Sequence, residues 1–94
     1  MTPYRTTAVF DEITLPAALR REHRTKAGAW GVIRMLEGEL RLVFPDGRVE
    51  LLNPKTPGLI RPEETHWVEP VGAMRMQVEF YDRDPNSGEV EADR

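Results

Sequence analysis

Bulky and β-branched residues come in short blocks along this chain, each closed by a proline, glycine or acidic cluster, and that punctuation predicts β-strands. The strongest block is Ala29 to Leu36, where Trp30, Val32, Ile33, Met35 and Leu36 crowd together before the turn Glu37-Gly38-Glu39. Leu40, Leu42 and Phe44 then alternate with Glu39, Arg41 and Val43. The Pro45-Asp46-Gly47-Arg48 segment supplies the positive φ that a tight hairpin needs. Val49 to Leu52 returns as a strand, and Asn53 to Gly58, with two prolines, is a loop. Short strands follow at Leu59-Ile60 and at His66 to Glu69, the latter ending at Pro70. Met74 to Tyr81 has the clearest period of two: Met74, Met76, Val78 and Phe80 share one face, and Arg75, Gln77, Glu79 and Tyr81 the other. Large side chains on both faces imply that something covers the sheet on each side.

The front of the chain is less regular. Val9 and Phe10 open a strand, Ile13 and Leu15 flank Thr14, and Pro16 to Arg21 has the composition of one helical turn with proline at its start. That turn is too short to stand alone. Residues 82–94, acidic and containing Pro85 and Gly88, read as a flexible tail. Seven or eight short strands, with turn signals roughly every 8–12 residues, indicate an all-β sandwich or barrel over residues 1–81.

Composition narrows the function classes. Ninety-four residues make one domain with one modest core. A net charge of −3 argues against a nucleic-acid partner held through its phosphates. No apolar run approaches the ~20 residues of a membrane span, and Met1 to Arg5 lacks the apolar centre of a signal peptide. Cysteine is absent, so any metal must be held by nitrogen and oxygen. The expectation is a cytoplasmic protein without membrane contact. Candidate chemistry rests on two histidines, His23 and His66, the only imidazoles in the chain.

Leu36-Glu37-Gly38-Glu39-Leu40, a hairpin, then Pro57-Gly58-Leu59-Ile60 and Pro62 before His66 resemble the two motifs of the cupin superfamily, a small jelly-roll barrel or double-stranded β-helix. More narrowly, His23 to Gly38, Pro62 to Pro70 and Gln77 to Tyr81 look like the cupin-like domain related to the N-terminal part of tellurite-resistance protein TehB. The likeness covers about residues 13–81. In that family the domain occurs alone or joined to a methyltransferase. The pattern also departs from a metal cupin: Thr25 stands where a second histidine is usual, Trp30-Gly31 replaces a glutamate, and Glu63 replaces a frequent glycine.

The resemblance implies a barrel site for a small molecule or metal ion. His23, His66 and Glu79 form the candidate two-histidine, one-carboxylate set for a divalent metal such as zinc, iron or nickel. Thr25, Trp30, Arg34 and Gln77 are candidate ligand-binding neighbours, and an anion would call for Arg34, Arg61 or Arg75 turned inward. Blander roles compete: His23 as a partly exposed loop residue hydrogen-bonded to backbone, His66 at a strand start with its ring against the core, Glu79 paired with Arg75 or Arg34, the tryptophans and methionines as packing. Three function classes follow. The first is a ligand- or metal-binding module related to toxic-oxyanion or stress resistance, the second a metal-dependent, oxygenase-like enzyme, and the third a metal-free interaction domain. A homodimer is the expected assembly.

Overall fold

The computed structural model describes residues 2–86, so residues 87–94 of the expected tail lie outside the described residues. Eight strands occur among the described residues: β1 (Arg5–Thr6), β2 (Phe10–Asp11), β3 (Trp30–Glu37), β4 (Leu40–Val43), β5 (Val49–Leu52), β6 (Gly58–Ile60), β7 (Trp67–Pro70) and β8 (Arg75–Tyr81). One 3₁₀ turn, Ala17–Arg20, follows Pro16 as its composition suggests. None of the described helices is long and apolar enough to cross a membrane.

The strands form two antiparallel sheets. The larger has β8 and β3 at its centre, β6 on the far side of β3, and β1 and β2 both laid along β8. The smaller has the order β5-β4-β7. Between β1 and β2, Thr7 keeps the edge of β8 satisfied: its N–H donates to the Val78 carbonyl (2.9 Å), and its hydroxyl accepts from the Val78 N–H (3.0 Å). Alternation then dictates the core. Ile33, Met35, Ile60 and Met76 project from the larger sheet against Leu40, Leu42, Leu52 and Val68 of the smaller one, and Leu15, Phe44 and Met74 close the ends.

One expectation needs correction. The closed jelly-roll barrel is not what the hydrogen bonds show: among the described residues the two ladders stay separate, and β5 and β6 each pair on one side only. Pro54 and Pro57 flank the corner between them, and proline has no N–H with which to extend a ladder. Ile13, beside Thr14, lies in a turn and is 83% exposed. There the Asp11 carboxylate accepts from the N–H groups of Ile13 and Thr14, both at 2.8 Å. Those bonds lower the Asp11 pKa, because they favour its charged form.

The hairpin at Asp46-Gly47 follows the sequence. Gly47 has φ of +95°, its N–H donates to the Phe44 carbonyl (3.0 Å), and Asp46 accepts from the Arg48 N–H (2.9 Å). Its strands register Leu40 opposite Leu52 and Val43 opposite Val49. That register turns Val49 and Leu51 outward, 53% and 48% exposed.

Candidate functional site

Beyond the 3₁₀ turn, the chain extends through His23 to Lys26 and lies antiparallel to the segment leading into β7. His23 and His66 form the bridge. The His23 N–H donates to the His66 carbonyl (3.0 Å), and the His66 N–H donates back (2.9 Å). Thr25 reinforces it: its hydroxyl donates to the Arg61 carbonyl, and it accepts from the Glu63 N–H, both at 3.1 Å. Two residues 43 positions apart in sequence are thus fixed by backbone pairing, and their rings come to 4.2 Å between centroids at a 59° tilt.

The ring protonation follows from acceptor chemistry. Nδ1 of His23 faces the Arg21 carbonyl at 3.0 Å, and Nδ1 of His66 faces the Glu64 carbonyl at 2.7 Å. A carbonyl oxygen only accepts, so each neutral ring carries its hydrogen on Nδ1 and its lone pair on Nε2. His66 is buried, 3% exposed, whereas His23 is partly open. Burial pushes the His66 pKa below 6.5; the Glu64 carbonyl opposes this, and charge on His23 adds to the lowering.

That shift has a sign. The unfolded ring takes a proton near its ordinary 6.5 while the folded ring resists, so the unfolded state binds more protons below that value. Stability from this group is therefore full above pH 6.5 and falls as the pH drops toward the lowered folded value. Urea midpoints measured from about pH 7.5 to about pH 5 are expected to decline, with a shallower slope in His66→Gln. Equal slopes in the two proteins would remove His66 from the effect.

Glu63 adopts φ of +61°, the left-handed region, in the turn that delivers the Glu64 carbonyl to His66. Glycine adopts that conformation without the Cβ penalty. Glu63→Gly is expected to raise stability by about 0.5–1 kcal/mol, since the relief of the Cβ penalty outweighs added unfolded-state freedom. Chemical denaturation reads it directly, and a loss of stability would refute the strain.

The two imidazoles stand on the wall of a cavity of about 420 Å³ between the sheets. Its deep surface is apolar and buried, with Ile33, Ile60, Val68 and Met76 prominent. Its rim carries the exposed side chains of Arg5, Arg24 and Lys26, and no carboxylate among the described residues lines it. Arg24 and Lys26 flank Thr25 in His23-Arg24-Thr25-Lys26, so an extended reading of that segment would have put them in view. Arg5 carried no such signal.

The other expected site residues lie elsewhere. Glu79 is on the opposite face of the larger sheet, because the period of two along β8 separates it from Val78 and Phe80, which line the cavity. There it accepts from Arg34 Nε (3.0 Å) and from the Tyr81 hydroxyl (2.9 Å). The partnership with Glu79 raises the Arg34 pKa; burial first, then Glu79, raises that of Tyr81. Gln77 pairs across the sheet with Arg34 and Trp30 with Tyr81, which puts both on that same outer face. The proposed triad is thereby reduced to its two histidines, and no group of three potential ligands occurs among the described residues. Thr25 does line the cavity, but its hydroxyl is engaged with backbone. Arg75 pairs with Glu37 at 2.8 Å, and Arg61 is exposed away from the cavity lining.

Comparison with known proteins places this arrangement. The crystal structure of TehB from Haemophilus influenzae superposes with a TM-score of 0.74 at 24% identity, over 83% of this chain and 30% of that one. A protein from Escherichia coli K12 superposes with a TM-score of 0.74 at 17% identity, over 87% of this chain and 91% of that one. At those identities the likeness concerns the fold, and the chain spans under a third of the length of the H. influenzae protein. No curated protein sequence matches the chain. The profile of the TehB-like domain family, however, matches residues 5–78, nearly the whole two-sheet body, and the chain belongs to that family.

Proposed function

We propose that this TehB-like domain is a ligand-binding module that holds a small anion in the cavity beside His23 and His66, in a setting of tellurite or other toxic-oxyanion resistance. One observation carries the reading: a cavity rim with Arg5, Arg24 and Lys26 and no carboxylate among the described residues, in a chain whose net charge is −3. Positive potential has been gathered there against the overall balance, and an apolar wall strengthens it by excluding water. The resemblance to cupin motifs supports treating the space between the sheets as the binding site. Because each Nδ1–H is committed to a carbonyl, an imidazole meets an anion only by gaining a proton at Nε2. Binding that engages the buried His66 ring is therefore expected to tighten only as the pH falls below that ring's ordinary 6.5, since burial lowers its pKa.

Calorimetry and thermal shift with selenite, tellurite and phosphate at constant ionic strength test the reading. A bound anion at a hundred times its Kd stabilises by about 2.7 kcal/mol, and Arg24→Glu/Lys26→Glu is expected to abolish the effect. Absence of any anion-dependent shift, or an undiminished shift in the double variant, would overturn it.

A second reading is favoured by the paired Nε2 lone pairs, which suit zinc, iron or nickel. His23 and His66 would supply two ligands, fewer than the three protein ligands a catalytic zinc keeps, so the metal reading leans toward binding more than toward an oxygenase-like enzyme. Elemental analysis of tag-free protein, with His23→Ala and His66→Ala alongside, decides it: about one metal per chain, lost in both variants, is the expected result. A cytoplasmic homodimer belongs to the same proposal, supported by the absence of cysteine and by a β5 edge that no described residue pairs, with Val49 and Leu51 exposed. Light scattering on the eluting protein tests the dimer.

A further inference from the structure

We infer that the preferred ligand is an amphipathic monocarboxylate, an acid with a short hydrocarbon body, and not a bare inorganic oxyanion. The inference rests on the anion reading above and deepens it. Its basis is the division of the cavity by depth. The cationic side chains of Arg5, Arg24 and Lys26 are exposed at the rim, whereas Ile33, Ile60, Val68 and Met76 are buried at the bottom. An inorganic oxyanion would satisfy the rim and leave the deep apolar surface facing water. A cavity of about 420 Å³ lies within the range of roughly 300–1,000 Å³ that small organic ligands occupy, far more space than one oxyanion needs.

His66 marks the boundary between the two zones. Among the described residues it is the one buried polar side chain, and its ring centroid lies 4.2 Å from that of the partly exposed His23. A carboxylate seated by the imidazole pair and the rim cations would therefore aim its hydrocarbon chain along Val68 and Met76 toward Gly31 and Ile33. Gly31 widens the floor. A Cβ built there would meet Ile60 Cβ at 3.5 Å and a Val78 methyl at 3.7 Å, ordinary contact distances, so glycine leaves room that the packing does not require. The far end of the ligand is read at Gly31, the charged end at Lys26 and Arg24.

The test is a titration series by calorimetry on the intact chain: acetate, butyrate and hexanoate as probes, 1-hexanol as the neutral control, and selenite and phosphate as inorganic anions. Affinity is expected to rise about threefold to fourfold for each methylene that enters the apolar floor, with 1-hexanol silent. Gly31→Ala is expected to weaken hexanoate several-fold while leaving acetate unchanged, and Lys26→Glu to weaken every carboxylate. If selenite or phosphate binds and the carboxylates show no chain-length dependence, the inference is overturned and the anion reading stands. If 1-hexanol binds as well as hexanoate, or if no probe binds at all, both are overturned.

Discussion

Gly38→Ala is expected to destabilise the fold by about 3 kcal/mol, enough to leave a domain of this size partly unfolded at 37 °C. Gly38 has φ of +76° in the turn between β3 and β4, a conformation that costs any residue with a Cβ. The added carbon would also run into the Ala73 carbonyl oxygen and the Met74 Cα, which are backbone atoms and cannot swing aside. Relief requires moving the start of β8, and β8 carries the pairing with β1, β2 and β3 together. Urea denaturation with far-ultraviolet circular dichroism measures the effect. A loss below about 1 kcal/mol would mean that the turn relaxes and that β8 is not pinned there. Gly72→Ala is the comparison: nothing lies within 4 Å of a Cβ at that position, and its effect is expected to be small.

The second large effect is expected at Leu42, which is fully buried in the middle of β4. Leu42→Ala removes side-chain volume where the two sheets meet, against Gly58 of β6, whose missing Cβ is what allows the Leu42 and Leu52 methyls to approach the larger sheet. A loss of about 3–4 kcal/mol is expected, the transfer cost plus the cavity left behind. The same truncation at Ile13, almost wholly exposed, is expected to stay within about 0.5 kcal/mol. If the two variants melt alike, Leu42 is not a contact that joins the sheets. Because the contact lies between the sheets, the cavity is also expected to loosen, and hexanoate affinity in Leu42→Ala would fall even though Leu42 does not line the site.

Strand identity was legible because it depends on near neighbours. Trp30, Val32, Ile33, Met35 and Leu36 are bulky or β-branched, Asp46-Gly47 admits a positive φ, and the alternation from Met74 to Tyr81 assigns each residue to a face without reference to anything distant. The same alternation already contained the failure of the proposed triad. Glu79 has the opposite parity from Val78, so a chelating role required the outward face of β8 to be the cavity face. Large side chains on both faces obscured which one that was. The brief strands β1 and β2 gave little signal, since two-residue segments hold no period and depend on β8 for their hydrogen bonds.

By itself, then, the amino-acid order determined an all-β chain, its main strands, its tight turns and its two candidate imidazoles, all properties of local sterics and periodicity. Only the tertiary structure decided that His23 and His66 share a backbone bridge, that their Nδ1 atoms are spent on carbonyls, and that the cavity's cations are Arg5, Arg24 and Lys26 in place of Arg34, Arg61 and Arg75. The reason is physical. Which strands meet, and which face of each turns inward, is set by burying the largest apolar area across contacts far apart in sequence. No local pattern encodes the outcome of that competition.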